Sequence, residues 1–154
     1  MDSSIPTPIP LRRRSSPVPL ARHHGGSEAV ATDLCPQALI VDDCRFIAER
    51  VARALEARGY VCTVAQDGYE GLELLRGRRF DLFVLDIDMP MINGFALLRH
   101  LRADAVHTNA PVLMLSVDPS GADYECATSL GASAFMTKPL QLRPLYATID
   151  SITG

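Results

Sequence analysis

The sequence predicts an α/β fold: a five-stranded parallel sheet between two layers of helices. Two observations carry this. Short, nearly continuous apolar runs alternate with amphipathic stretches from Ala38 to the end of the chain, and strands covered on both faces by crossover helices read as such runs. Four of the runs also close on a polar group: Leu39-Ile40-Val41 on Asp42-Asp43, Leu82-Phe83-Val84-Leu85 on Asp86, Leu113-Met114-Leu115 on Ser116, and Phe135-Met136-Thr137 on Lys138. In an open parallel sheet the carboxyl ends of the strands share one edge, where ligands bind. These positions are therefore expected to converge on an acidic pocket with one cation and one hydroxyl.

Each element has its own signal. After the first strand, residues 45–58 read as a helix that places Phe46, Ile47, Val51, Ala54 and Leu55 on one face and stops at Gly59, a usual helix terminator. Residues 60–65 alternate as a half-buried strand, Asp67-Gly68 turns the chain, and 69–75 form a short helix weakened by Gly71. The third strand is expected over 80–85. Pro90 and Asn93-Gly94 shape a loop before a helix over 95–102, whose Leu97, Leu98 and Leu101 make a buried face. Strand 111–115, helix 121–130, strand 134–137 and helix 145–152 complete five β/α units. Pro144 is tolerable in a first helical turn, where amides lack intrahelical partners. Because each crossover is right-handed, the helices cover both faces of the sheet.

Composition narrows the function. A chain of 154 residues with 47% hydrophobic content suffices for one domain with a real core, and a formal charge of −3 gives no general attraction to nucleic acid. No apolar stretch approaches a membrane span, and the arginine-containing N-terminus lacks the apolar block of a secretory signal. A cytoplasmic protein without membrane association is expected. Cys35, Cys44, Cys62 and Cys126 lie far apart with no C-x-x-C pair, which suits reduced thiols better than disulfides or zinc. The four histidines offer no metal spacing. Residues 1–36 hold six of the eleven prolines with Ser, Arg and Gly25-Gly26, a mixture expected to stay disordered ahead of a folded domain over 37–154. Arg12-Arg13-Arg14 is either a docking patch or a solvated run. An over-long gene start, with the true start nearer Val30, is the alternative account of this segment.

The converging polar residues also have plainer readings. Asp42 or Asp43 could cap the helix that starts near Arg45, although two adjacent acids exceed one cap's need. Ser116 could merely end a strand, and Phe135 could be plain core. Lys138 could be an ordinary surface lysine, yet it is the only lysine in a chain that otherwise uses arginine. A compact ammonium suits a tight anion pocket in a way that arginine's fixed fork does not.

Taken together, Leu39-Ile40-Val41-Asp42-Asp43, Leu85-Asp86-Ile87-Asp88-Met89-Pro90 with Gly94 following, Ser116, and Lys138-Pro139 resemble the receiver domain of two-component response regulators. The resemblance covers about residues 38–152 and implies a flavodoxin-like (βα)5 fold with strand order 2-1-3-4-5. An aspartate carboxylate is a competent phosphoryl acceptor that forms a transient acyl phosphate, and Asp86 is the expected acceptor. Gathering Asp42, Asp43 and Asp86 leaves like charges that call for a hard cation, so Mg²⁺ is expected. The resemblance implies that Asp43 and Asp86 coordinate it directly, Asp42 through water, and the Asp88 backbone carbonyl as a further ligand. Metal, Lys138 and Ser116 would share the phosphoryl oxygens. It also implies that Ser116 and Phe135 form a switch, the aromatic swinging inward as the hydroxyl moves.

Two departures from the family pattern stand out. Val117 follows the switch hydroxyl where a small residue is common, which implies restricted access and a long-lived phosphoryl state. Asp88 and Asp118 add carboxylates near the mouth, able to repel an anionic donor or to orient water. Two other readings remain open at this point: Asp86-Ile87-Asp88 also resembles the first motif of haloacid-dehalogenase-type phosphatases, and a receiver fold can serve as a phosphorylation-independent interaction module. Read as a single-domain regulator, the chain is expected to act through a surface rather than as an enzyme. It would take its phosphoryl group from a phosphohistidine on a sensor histidine kinase or phosphotransfer protein, and signal through the face of the fourth helix, fifth strand and fifth helix to a target protein or a second copy.

Overall fold

The computed structural model describes residues 34–154. The tail expected over 1–36 lies outside the described residues except for its last three. Of these, Pro36 already belongs to the sheet's margin, its carbonyl accepting from the Val61 N–H at 2.9 Å.

Five strands, β1 (Gln37–Val41), β2 (Val61–Ala65), β3 (Leu82–Asp86), β4 (Val112–Ser116) and β5 (Ala134–Thr137), alternate with five helices, α1 (Arg45–Glu56), α2 (Gly68–Leu75), α3 (Gly94–Ala103), α4 (Gly121–Ser129) and α5 (Leu142–Thr153). All pairings are parallel and the order is β2-β1-β3-β4-β5. Every residue of β3 and β4 is buried, whereas the edge strand β2 is mostly half-buried. Alternate side chains point to opposite faces. Ala38, Ile40, Leu82, Val84, Leu113 and Leu115 pack against α1 and α5. Leu39, Val41, Phe83, Leu85, Met114 and Phe135 pack against α2, α3 and α4.

Differences from the expected boundaries have local causes. Phe46, assigned from periodicity to the buried face of α1, is 69% exposed. It sits one residue, about 100° around the helix, from Ile47, and the face that reaches the sheet is set by Ala48, Val51, Ala52, Ala54 and Leu55. Helix α2 starts one residue early, at Gly68, because the Asp67 side chain accepts from the Glu70 N–H and caps it. Helix α5 starts at Leu142, three residues before the expected point, with Pro144 third in its first turn. The N-cap of α1 is Cys44, without a side-chain cap bond, so neither Asp42 nor Asp43 caps that helix.

Two groups tie the amino-terminal edge of the sheet. The fully buried His107 ring accepts from the Phe80 N–H at Nε2 (3.2 Å), so its proton is on Nδ1, which donates to Asp104 Oδ2 at 2.7 Å. The Arg102 guanidinium donates to the carbonyls of His107, Thr108 and Gly131 at 2.8–3.2 Å, joining α3 to the loops that lead into β4 and β5.

Candidate functional site

The opposite edge carries the chemistry. Asp42 and Asp43 follow β1, Asp86 ends β3, Ser116 ends β4 and Lys138 follows β5. Parallel register alone brings them to one edge, because Val41 pairs with Leu85, Asp86 with Leu115 and Ser116 with Thr137. Gly94 sets the local fit at β3. A Cβ there would overlap the carbonyl of Asp86, so only glycine lets α3 begin against the end of that strand. Asn93 caps α3, its side chain accepting from the Ala96 N–H at 3.0 Å.

Asp86 is 2% exposed. Its Oδ1 accepts from the Asp88 N–H at 3.2 Å and lies 3.2 Å from Lys138 Nζ. Lys138 Nζ also lies 2.8 Å from Asp42 Oδ2, an ionic contact rather than a directed bond, since that buried oxygen receives no hydrogen bond among the described residues. Asp42 Oδ1 accepts from the Cys44 N–H at 2.8 Å. Burial is the largest cause raising the Asp86 pKa to about 6, the Asp42 carboxylate adds to it, and Lys138 with the Asp88 amide works against both. For Lys138, burial favours loss of the proton, but the two carboxylates outweigh it and its pKa is raised. The ammonium is held charged between them.

Carboxylate oxygens of Asp42, Asp43 and Asp86 lie within 4.8 Å of one another. Three clustered acids, two of them buried, fit a hard divalent cation with oxygen ligands. Asp43 is exposed and faces the solvent side of the cluster. The Ser116 hydroxyl, 1% exposed, donates to Asp88 Oδ2 at 3.0 Å. Val117 is 61% exposed. Phe135 is already buried, its ring in tilted contact with Tyr124 of α4, centroids 4.4 Å apart at 36°.

Three features escaped the sequence reading. Tyr124 is the only aromatic in a helix that buries just Ala127, and that isolation was the available signal. The side-chain bond of Asp88 joins the loop after β3 to the end of β4 and leaves no mark in either sequence. Large exposed apolar residues also follow each of the five strands in turn: Phe46, Tyr69, Met91, Val117 and Leu142.

Three layers and the order 2-1-3-4-5 define a flavodoxin-like α/β protein. Residues 38–150 match the response regulator receiver domain. Response regulator MprA of Mycobacterium sp. (strain KMS) is 34% identical over 114 residues, which are 74% of this chain and 49% of the relative. MprA of Mycobacterium bovis (strain BCG / Pasteur 1173P2) is 32% identical over the same shares. The chain thus spans about half the length of the curated relatives it matches. Among solved structures, chemotaxis protein CheY4 of Vibrio cholerae superposes with a TM-score of 0.72 at 29% identity, over 77% of this chain and 98% of that one. A response regulator from Burkholderia pseudomallei, crystallised with a phosphorylated aspartic acid, calcium ion and citrate, gives 0.67 at 27% identity, over 73% and 65%. The chain belongs to the response regulator receiver family. The acidic pair at the end of β1 precedes Asp86 in the sequence, the reverse of the haloacid-dehalogenase order, and that alternative falls with the family assignment.

Proposed function

We propose that Asp86 accepts a phosphoryl group and that the protein signals through the resulting change of surface. The observation that carries this reading is the placement of the buried Asp86 carboxylate beside Lys138 Nζ (3.2 Å) within the acidic cluster. A carboxylate oxygen of Asp86 attacks the phosphorus of a phosphohistidine, the P–N bond breaks, and its electron pair leaves with the imidazole. Lys138, held between Asp42 and Asp86, stays charged and meets the negative charge of the transferring group. Asp43 and Asp86, with Asp42 through water and the Asp88 backbone carbonyl, would hold Mg²⁺, which would supply further neutralisation of the phosphoryl oxygens. Ser116 supplies a hydroxyl donor. The chemistry is self-phosphorylation and slow self-hydrolysis rather than turnover of a substrate.

The exposed apolar residues Phe46, Tyr69, Met91, Val117 and Leu142, which follow the five strands in turn, support a macromolecular donor, a sensor histidine kinase or phosphotransfer protein. Exposed apolar side chains are what a protein partner buries. For output, α4 is the helix least held by the core, burying only Ala127, and Tyr124 connects it to Phe135. The face formed by α4, β5 and α5 is therefore the surface proposed to change, toward a target protein or a second copy. Among the described residues no helix is long and apolar enough to cross a membrane, in keeping with a cytoplasmic site of action. The folded receiver is assigned to 37–154, preceded by a tail over 1–36.

Intact-protein mass after incubation with acetyl phosphate and Mg²⁺ tests the acceptor. One phosphoryl adduct, lost in Asp86→Ala and after chelation, is expected. An adduct that survives Asp86→Ala overturns the assignment, and no adduct from either acetyl phosphate or a phosphohistidine donor leaves the fold as a phosphate-independent interaction module.

A further inference from the structure

We propose that Asp88 is a latch on the Ser116 hydroxyl, holding it away from the phosphoryl position until phosphorylation of Asp86 takes it over. The inference rests on Asp86 being the acceptor and adds a positioning residue to that reaction. Ser116 is buried at the end of β4, and its Oγ donates to Asp88 Oδ2 at 3.0 Å. A serine hydroxyl has one proton to donate. While that proton is on the Asp88 carboxylate it cannot serve a phosphoryl oxygen.

The same residue touches the acceptor from its other end. The Asp88 N–H donates to Asp86 Oδ1 at 3.2 Å, and Ser116 is fixed in turn by its backbone carbonyl, which accepts from the Lys138 N–H at 2.7 Å. Acceptor, latch, switch hydroxyl and lysine thus form one chain of contacts. A phosphoryl group on Asp86 replaces the single carboxylate charge with close to two on the phosphoryl oxygens, beside Asp88, an exposed residue. Repulsion moves Asp88 outward, and the freed hydroxyl turns to the phosphoryl oxygen. The latch opposes the phosphorylated state by the bond that is given up as the phosphoryl group arrives. Its release marks the change from one state to the other.

Removing a carboxylate near the mouth would also ease approach of any anionic donor, so the test must separate charge from latch. Self-phosphorylation with acetyl phosphate and Mg²⁺ is followed over a range of donor concentrations for wild type, Asp88→Ala, Asp88→Asn, Ser116→Ala and the Ser116→Ala/Asp88→Ala pair. Charge repulsion acts on the concentration dependence; the latch acts on the maximal rate and on the lifetime of the adduct. Asp88→Ala is expected to raise the maximal rate roughly 3- to 10-fold in the wild-type background but less than about 2-fold when Ser116 is alanine, the non-additivity of two residues sharing one bond. Asp88→Asn, neutral but still an acceptor, is expected to fall between. Equal effects of Asp88→Ala in both backgrounds would overturn the latch while leaving Asp86 as acceptor. A wild type that takes up no phosphoryl group from any donor would overturn both.

Discussion

Replacing Asp86 by Asn should stabilise the protein when no divalent ion is present, and by an amount that depends on pH in a defined way. The carboxyl of Asp86 is buried, and its pKa is raised from 3.8 to about 6, first by burial and then by Asp42. A group whose pKa is higher in the folded than in the unfolded state favours folding only while protonated. Between pH 3.8 and 6 the folded protein binds more protons than the unfolded chain, so stability falls as pH rises through that window and levels off above it. The gap between 3.8 and about 6 amounts to roughly 3 kcal/mol at about 1.4 kcal/mol per pH unit. Denaturant unfolding of ion-free protein from pH 4 to 8 reads this directly. Wild type and Asp86→Asn should be alike near pH 4, with the variant more stable by on the order of 3 kcal/mol above pH 7. Asp104, held low mainly by its hydrogen bond from His107, contributes stability in the opposite sense, present above pH 3.8 and lost only below it. Mg²⁺ should stabilise wild type and not the variant. Parallel pH profiles for the two proteins would refute the reasoning.

Other expectations follow from single contacts. His107→Ala removes the acceptor of the buried Phe80 N–H and the donor to Asp104, and should cost about 2–4 kcal/mol in denaturant unfolding while leaving the yield of phosphoryl adduct unchanged in protein that remains folded. Gly94→Ala forces a Cβ into the Asp86 carbonyl, so it should lower both the melting temperature and the rate of adduct formation; a loss of stability alone would show that α3 can shift without disturbing the acceptor. Val117→Ala should speed both adduct formation and decay by a few-fold if the exposed valine screens the pocket, and unchanged rates would end that account.

The sheet and most of the pocket were legible because both are written in contiguous residues. A buried parallel strand needs an apolar run, and the residue after it must lie at the sheet's edge, so Asp42, Asp86, Ser116 and Lys138 could be placed by counting. Helix faces are read less finely. Periodicity gathered Phe46 with Ile47, though Phe46 lies at the margin of the face set by Ala48, Val51, Ala52, Ala54 and Leu55 and stays exposed. Pro144 was read as tolerable in a first helical turn, and it does lie in the first turn of α5, but the helix begins at Leu142 rather than Leu145. What was least legible depends on residues distant in sequence meeting in space: the bond between Ser116 and Asp88, the contact of Tyr124 with Phe135, and the burial of His107 between Phe80 and Asp104.

The carbonyl contacts of Arg102 give the molecule a fixed end and a free end. One guanidinium, its pKa lowered by burial, grips the turns that enter β4 and β5, on the side of the sheet away from the acids. Helix α4 ends beside Gly131, within that grip, and begins at Ser120, outside it. The carboxyl end of α4 is thus anchored through the Gly131 carbonyl and its amino end carries no such tie from Arg102. If an adjustment at Ser116 reaches α4, its travel is expected to be larger at Gly121 and Ala122 than near Gly131, which amide exchange of the phosphorylated protein would read.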